Sequence, residues 1–235
     1  MNQDNITDRV SLIISELTDY AENRIDVLLN SNIIQPYIGS DDIRLIIIGQ
    51  DPTVKNINSR KKIETTLNLD KKNALASYIS RICNGLGLSL SNVYATNLFK
   101  YFYTNPPAST MNVLYNHIQP NLELLREELN AYPSCPIITL GEPLLKLLTN
   151  KDENVRNYWD YHRNTGTTGY SFLYSIDRLN SLERNFFPFP HQPSMRKKFY
   201  NDTFDAYIEY VKRVIDVHSS DRTPLVDNST RGLVK

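Results

Sequence analysis

Three side chains of different chemistry follow short apolar segments at distant points of the 235-residue chain. Asp51 comes directly after the segment IRLIIIGQ, Asn97 ends the segment NVYATN, and His191 ends the segment FFPFPH. A carboxylate and an imidazole are common groups of acid–base and electrostatic catalysis, and an amide can both donate and accept hydrogen bonds. Each residue alone also has a structural interpretation, as a turn cap or a turn residue. Convergence of the three would indicate a catalytic site.

The elements around these residues predict how they are brought together. Apolar, β-branched segments at 43–49, 92–97 and 136–141 indicate buried strands, and 170–176 indicates a strand or a strand-like loop. Helical periodicity is found at 7–29, 72–86, 110–131, from 142 onward and roughly at 194–218. Alternating strands and helices predict an α/β fold, a three-layer α/β/α sandwich with a mainly parallel central sheet of about four strands.

In such a sheet, ligands bind beyond the carboxyl ends of the strands. The predicted strands would therefore deliver Asp51, Asn97 and His191 to one edge. Residues 50–70 form a long polar segment, which is predicted to be a functional loop. We find no domain boundary before the polar end of the chain, so we expect one domain over 1–218 and a flexible tail over 219–235.

The composition excludes several classes of protein. Lys and Arg together number 26, as do Asp and Glu, so the formal net charge is zero. Bulk positive charge therefore does not drive nucleic-acid binding, although a small basic patch is compatible with this total. No apolar run approaches the roughly 18 residues that span a bilayer, and the polar N-terminus does not resemble a secretory signal. Two cysteines are too few for a disulfide scaffold or a four-cysteine metal site.

Four segments together resemble one family of enzymes. They are GQDP at 49–52, NVYATN at 92–97, TLGEPLLKLL at 139–148 and HQPSM at 191–195. In this order they resemble the uracil-DNA glycosylases that carry the motifs GQDPYH and HPSPL. The resemblance extends from about Ile43 to Phe199, and it implies a uracil-DNA glycosylase-like domain.

The resemblance implies roles for five residues near the base. Asp51 matches the aspartate that favours the cationic sugar and positions the water, and His191 matches the histidine that donates to uracil O2. Asn97 matches the asparagine that pairs with the uracil edge, which separates uracil from cytosine. Backbone N–H groups around Gln50 would also bind the base, and Thr53 occupies a position in the wall of the base pocket. The family's reaction requires no metal and no organic cofactor.

A second group of residues is expected to contact DNA. The base must leave the stack to reach the pocket, and Met195 matches the apolar side chain that fills the gap. Ser194 could cap the last helix or bind a phosphate. The cations of two segments could surround the same site, namely Lys55, Arg60, Lys61, Lys62, Arg196, Lys197 and Lys198. With zero net charge, such a footprint is small, so DNA affinity should depend only shallowly on salt.

The chain departs from the family's pattern at several positions. Thr53 and Val54 stand where the family has Tyr and His, and Gln192 is an extra residue in the second motif. In the family that Tyr excludes the thymine methyl group, so the smaller Thr53 puts base selection in doubt. No aromatic residue lies between Val54 and Tyr78 to stack on the base. The platform would then come from one of four later aromatic residues or from none; these are Phe99, Tyr101, Phe102 and Tyr103.

These observations predict a DNA glycosylase that flips and excises uracil, or a related damaged pyrimidine, in base-excision repair. The alternative is a catalytically inactive glycosylase fold that binds DNA or a protein partner. A nucleotide-binding α/β enzyme is less favoured, because the chain lacks a glycine-rich phosphate loop. We expect DNA containing uracil or a damaged base as the partner, no membrane and no metal, and a monomer. The location would be the cytoplasm, with the nucleoid, in a bacterium, or the nucleus in a eukaryote.

Overall fold

Four buried parallel strands and one short antiparallel strand form the central sheet. The computed structural model describes residues 3–19, 32–54, 56–107, 111–159, 172–191 and 199–220. The strands are β1 Tyr37–Ile38, β2 Leu45–Gly49, β3 Val93–Asn97, β4 Ile137–Leu140 and β5 Phe186–Phe189. Their order is β1-β3-β2-β4-β5, and only the β1–β3 pairing is antiparallel. The strands β2 to β5 are buried throughout because helices cover both faces of the sheet.

Seven helices accompany the sheet in the described part of the chain. They are α1 Gln3–Asp19, α2 Ile57–Arg60, α3 Ala74–Gly85, α4 Met111–Leu129, α5 Glu142–Thr149, α6 Arg156–Trp159 and α7 Phe204–Ser220. The helices pack in two groups, α1 against α4 and α4 against α5 in one, and α3 against α7 in the other. The predicted three-layer α/β/α sandwich is therefore confirmed. No helix of the described residues is long and apolar enough to cross a bilayer.

The strands of the sheet differ from the prediction in two respects. The sheet gains the two-residue strand β1, and the segment predicted at 170–176 contributes, within its described residues 172–176, one bridge from Ser175 to Phe186. The fourth parallel strand is instead β5, which contains Pro188. Proline lacks a backbone N–H, so it is tolerated here because β5 ends the sheet order.

The loop at 50–70 is more ordered than its polar composition suggests. It contains α2 and a 3₁₀ turn at Thr66–Asn68. The last helix begins at Phe204 after a single π turn at Phe199–Thr203, whereas residues 192–198 lie outside the described part. Most of the predicted tail also lies outside it, so the division at 218 stays a prediction.

Candidate active site

The site is built where the parallel strands β2 and β3 end side by side. Gly49 lies opposite Asn97 in their register. The pairing continues past the strands, because Leu98 N donates to Gly49 O at 2.9 Å and Phe99 N to Gln50 O at 2.9 Å. The residues that follow β2 are thereby held beside the last residue of β3. The sequence prediction that Asp51 and Asn97 share one sheet edge agrees with this placement.

Asp51 is held in one orientation by its own loop. Gln50 Nε2 donates to Asp51 Oδ2 at 2.6 Å, and Thr53 N donates to Asp51 Oδ1 at 2.7 Å. Burial raises the pKa of Asp51 to about 6, against the hydrogen bonds from Thr53 and Gln50 and the positive charge of Arg60, which lower it. The carboxylate is therefore ionised at neutral pH but costly to keep charged, as is common for groups that act electrostatically in a site.

Thr53 links the loop after β2 to the segment after β3. Its hydroxyl accepts a hydrogen bond from Tyr103 N at 2.8 Å and is also hydrogen-bonded to Asp51. The Thr53 side chain is therefore part of the support of Asp51, a role that the sequence did not predict. Gln50 likewise acts here through its side chain on Asp51, whereas the sequence prediction concerned its backbone N–H.

The Asn97 side chain is buried without satisfying its hydrogen-bonding groups. The residue is 1% exposed, and neither Oδ1 nor Nδ2 has a hydrogen-bond partner within the described residues. An unsatisfied buried polar group costs about 1–3 kcal/mol. Such a donor–acceptor pair needs an explanation, and a ligand that presents a complementary edge would supply one.

Gly49 makes room for this amide. A Cβ atom on Gly49 would lie 2.3 Å from Asn97 Oδ1 and 2.9 Å from Leu67 Cδ2. Both distances are too short for ordinary contacts. The glycine of the GQDP segment is therefore required by the position of Asn97, and the two motifs depend on each other sterically.

We predict that Gly49→Ala displaces the Asn97 amide and lowers the activity of the site roughly 100-fold, as expected for a misplacement of about 1 Å. Overpacking should also lower the free energy of unfolding by about 1–3 kcal/mol. The matched control is Gly85→Ala, whose Cβ would lie 2.6 Å from Ile208 Cγ2 on α7, away from this edge. Urea unfolding measures the loss of stability, and the single-turnover rate measures the loss of activity. Equal loss of rate in both variants would contradict the prediction.

Leu67 is a residue of the site that the sequence did not reveal. Its backbone has φ 58°, and Asn68 follows with φ 53°, a region that bulky residues rarely adopt. The loop is anchored nearby, because Thr66 N and its hydroxyl both donate to Gln35 O, at 2.9 and 3.1 Å. This unusual turn holds the half-buried Leu67 side chain against the position of Gly49 and Asn97. No local pattern distinguishes Leu67 from other apolar residues of the loop.

The four aromatic residues considered as a stacking platform are core residues. Phe99, Tyr101, Phe102 and Tyr103 are each at most 2% exposed. The rings of Phe99, Tyr101 and Tyr103 pack on one another with centroids 5.4–6.1 Å apart. The structure therefore places all four residues in the core, and three of them pack on one another there. Leu67 is an apolar side chain that, like the Asn97 amide, lies against the position of a Cβ on Gly49.

His191 lies at the same edge of the sheet, but it follows β5, the last strand in the sheet order. It lies two residues beyond β5, and its Cβ is 3.2 Å from the position of a Cβ on Gly141. Gly141, with φ 97°, directly follows β4, the strand between β2 and β5. The His191 side chain is exposed, yet the protein atoms around it lower its pKa by desolvation. The imidazole is therefore neutral at pH 7.

Arg60 does not belong to the basic surface with which the sequence grouped it. It is 7% exposed, and its guanidinium donates to Val54 O at 2.7 Å, Tyr103 O at 2.9 Å and Thr104 O at 2.9 Å. The planar group with several donors suits this role. Arg60 therefore ties the loop after β2 to the segment after β3 and is not available to a phosphate.

We predict that Arg60→Met lowers the free energy of unfolding by roughly 3 kcal/mol, because it leaves several backbone carbonyls without a donor. Lys61→Met, which alters the exposed neighbour, should stay within about 0.5 kcal/mol of the parent protein. Thermal or urea unfolding checks both values. The salt dependence of DNA binding should be unchanged by Arg60→Met, and a smaller salt slope in that variant would contradict a structural role.

Several predicted DNA contacts cannot be placed. Lys55, Ser194, Met195, Arg196, Lys197 and Lys198 lie outside the described residues, as does Gln192. Their proposed roles stay predictions. Lys61 and Lys62 are described, and both are exposed in the loop that contains α2.

Comparison with protein families agrees with this architecture. The family model described as "Uracil DNA glycosylase superfamily" matches residues 36–213. This span begins just before β1, ends within α7 and includes all five strands together with Asp51, Asn97 and His191. No curated protein matches the chain. The resemblance carried by the four sequence segments is confirmed, and the chain belongs to the uracil-DNA glycosylase superfamily.

Proposed function

We propose that the protein is a monomeric DNA glycosylase that hydrolyses the N-glycosidic bond of uracil, or of a closely related damaged pyrimidine, in DNA. The observation that carries this proposal is the buried, unpaired amide of Asn97, which lies opposite Gly49 at the sheet edge where Asp51 follows β2. A pyrimidine edge with one donor and one acceptor would satisfy both amide atoms and remove their desolvation penalty.

The proposed reaction separates charge, and the candidate site is suited to that. The bond between C1′ and the base nitrogen breaks, its electrons leave with the base, and positive charge develops on the sugar. The Asp51 carboxylate, fixed by Gln50 and Thr53, would stabilise the sugar cation. Water then adds to C1′ and gives up a proton, which ends on the departing base anion, so that the products are an abasic sugar and the neutral base. The neutral His191 would donate a hydrogen bond to the base oxygen on which negative charge accumulates.

Base selection in the proposed site depends on Thr53 and Leu67. Thr53 is small, and its hydroxyl is engaged by Asp51 and Tyr103 N. Leu67 offers an apolar but non-aromatic surface next to Asn97. These two features favour a pocket that recognises the imide edge through Asn97 and holds the ring by apolar contact. They place less restriction on substituents of the ring.

The test is incubation with single- and double-stranded oligonucleotides that carry one modified base, followed by alkaline cleavage of abasic sites. The panel contains uracil, thymine opposite guanine, hypoxanthine and oxidised pyrimidines. We expect cleavage at uracil that is absent with an unmodified strand. Binding of DNA without release of any base at high protein concentration would overturn the proposal and favour the inactive, DNA-binding alternative.

A further inference from the structure

A buried ion pair is hydrogen-bonded to the last residues of β3. Lys100 and Glu128 are 1% and 2% exposed, and Lys100 Nζ lies 2.5 Å from Glu128 Oε1. Lys100 belongs to the turn after β3, and Glu128 belongs to α4. Neither residue contacts solvent, so the pair does not serve as a surface charge for DNA.

The pair is attached to β3 at three points. Tyr94 OH and Thr96 Oγ1 donate to Glu128 Oε2 at 2.7 and 2.9 Å, and Lys100 Nζ donates to Asn97 O at 2.8 Å. Tyr94 and Thr96 share one face of the strand, and side chains alternate between faces. The Asn97 side chain therefore points away from the network, which reaches this residue only through its backbone carbonyl.

Stability alone is a weak explanation for this arrangement, because a buried ion pair is often no more stabilising than an apolar pair of similar volume. Conformational specificity is the better account here. The Asn97 amide makes no hydrogen bond of its own within the described residues, so its direction depends on the backbone that carries it and on packing over Gly49. The network holds that backbone.

We propose that Lys100, held by Glu128, is a positioning residue that orients the Asn97 amide for the base. This inference rests on the proposed function, in which Asn97 reads the base edge. Lys100 acts through the Asn97 peptide and touches neither the base nor the sugar.

The test uses the double variant Lys100→Met/Glu128→Gln, which leaves no unpaired charge in the core. It is made with Asn97 intact and with Asn97→Ala, and single-turnover rates of uracil release are compared. With Asn97 intact we expect at least a tenfold loss of rate, and in the Asn97→Ala background we expect no further loss. Equal losses in both backgrounds would overturn the inference, because a general structural effect does not depend on Asn97. No loss in either background would overturn it as well.

The matched control is Arg126→Met on the same helix. Arg126 pairs with Glu183 at 2.8 Å and donates to Ser181 O, away from β3. With Asn97 intact, the Arg126→Met variant should release uracil at the same rate as the parent protein.

A second measurement is independent of catalysis. In the parent protein the Asn97 side-chain NH₂ group should give one pair of sharp NMR signals, and in the double variant these signals should broaden or shift toward averaged values. Unchanged signals would overturn the inference. If the parent protein releases no base, the proposed function fails, and these spectra still decide whether the ion pair positions Asn97.

Discussion

Asp51→Asn should slow uracil release by about 10²–10³-fold, the usual cost of removing one preorganised electrostatic group from a site. The substitution keeps the size of the side chain. Its Oδ1 can still accept from Thr53 N, and its amide can face Gln50 once the Gln50 amide is reversed. DNA binding should therefore survive. Single-turnover cleavage and a binding titration with the same oligonucleotide measure the two quantities.

The same substitution should stabilise the protein. The pKa of Asp51 is raised to about 6 in the folded state, whereas an unperturbed Asp lies near 3.9. The folded state therefore binds this proton more tightly than the unfolded state, and the contribution of Asp51 to stability falls as pH rises from about 4 to about 6. At pH 7 Asp51→Asn should raise the free energy of unfolding by about 1–3 kcal/mol, and the difference should shrink toward pH 4.

The pH dependence of the rate follows with the opposite sign. In the proposed reaction the ionised carboxylate is the active form, so the rate should rise as pH passes through about 6 and then level off. This rise of the rate with pH should be absent from the Asp51→Asn variant. The control is Asp41→Asn, which removes one negative charge at the other end of β2. The Asp41 carboxylate precedes this strand and accepts a hydrogen bond from the Ser91 hydroxyl. A normal rate for Asp51→Asn, or a loss in Asp41→Asn of the same size, would contradict the assignment.

Asn97→Ala should also lower the rate by about 10²–10³-fold, because in the proposed reaction the Asn97 amide makes two hydrogen bonds to the base edge. Its stability should not fall, and the free energy of unfolding should rise by up to about 2 kcal/mol, since two unsatisfied buried atoms disappear. Few buried substitutions behave in this way, because most of them create cavities or unpaired groups. A large loss of stability would indicate that Asn97 is a structural residue.

A third side chain at this position tests base reading directly. Asn97→Asp replaces the amide donor by an acceptor, so the site can no longer donate to a base oxygen. The ratio of the rates on uracil- and cytosine-containing strands should fall. An unchanged ratio with a lowered rate on both would show that Asn97 supports the fold of the site without reading the base.

The strand and helix pattern could be predicted because it follows from local chemistry. The β-branched segment before Gly49 is long enough for a buried strand and too short for a helix, and α3 and α4 carry clear helical periodicity. The edge that collects Asp51, Asn97 and His191 then follows from parallel topology alone. The apolar pattern of the segment around Ser175 does not distinguish a strand from a loop, because its apolar residues pack against the core while its backbone makes one bridge in the described residues.

The environment of each site residue could not be predicted, because it depends on contacts between distant parts of the chain. Arg60 looks like the lysines beside it in the sequence, yet it is buried because three backbone carbonyls converge on it from two loops. Leu67 resembles any loop leucine until its positive φ turns it toward Asn97.

Motif order and hydrophobic periodicity are properties of the chain read in one dimension, so the family, the fold class and the sheet edge could be predicted from the amino-acid sequence. Three features became visible with the three-dimensional arrangement: the unpaired Asn97 amide, the partly desolvated Asp51 carboxylate and the buried ion pair between Lys100 and Glu128. Hydrogen-bond satisfaction and solvation are sums over neighbours in space, and several of those neighbours are distant in the chain, such as Asn97 and Gly49, Thr53 and Tyr103, or Tyr94 and Glu128.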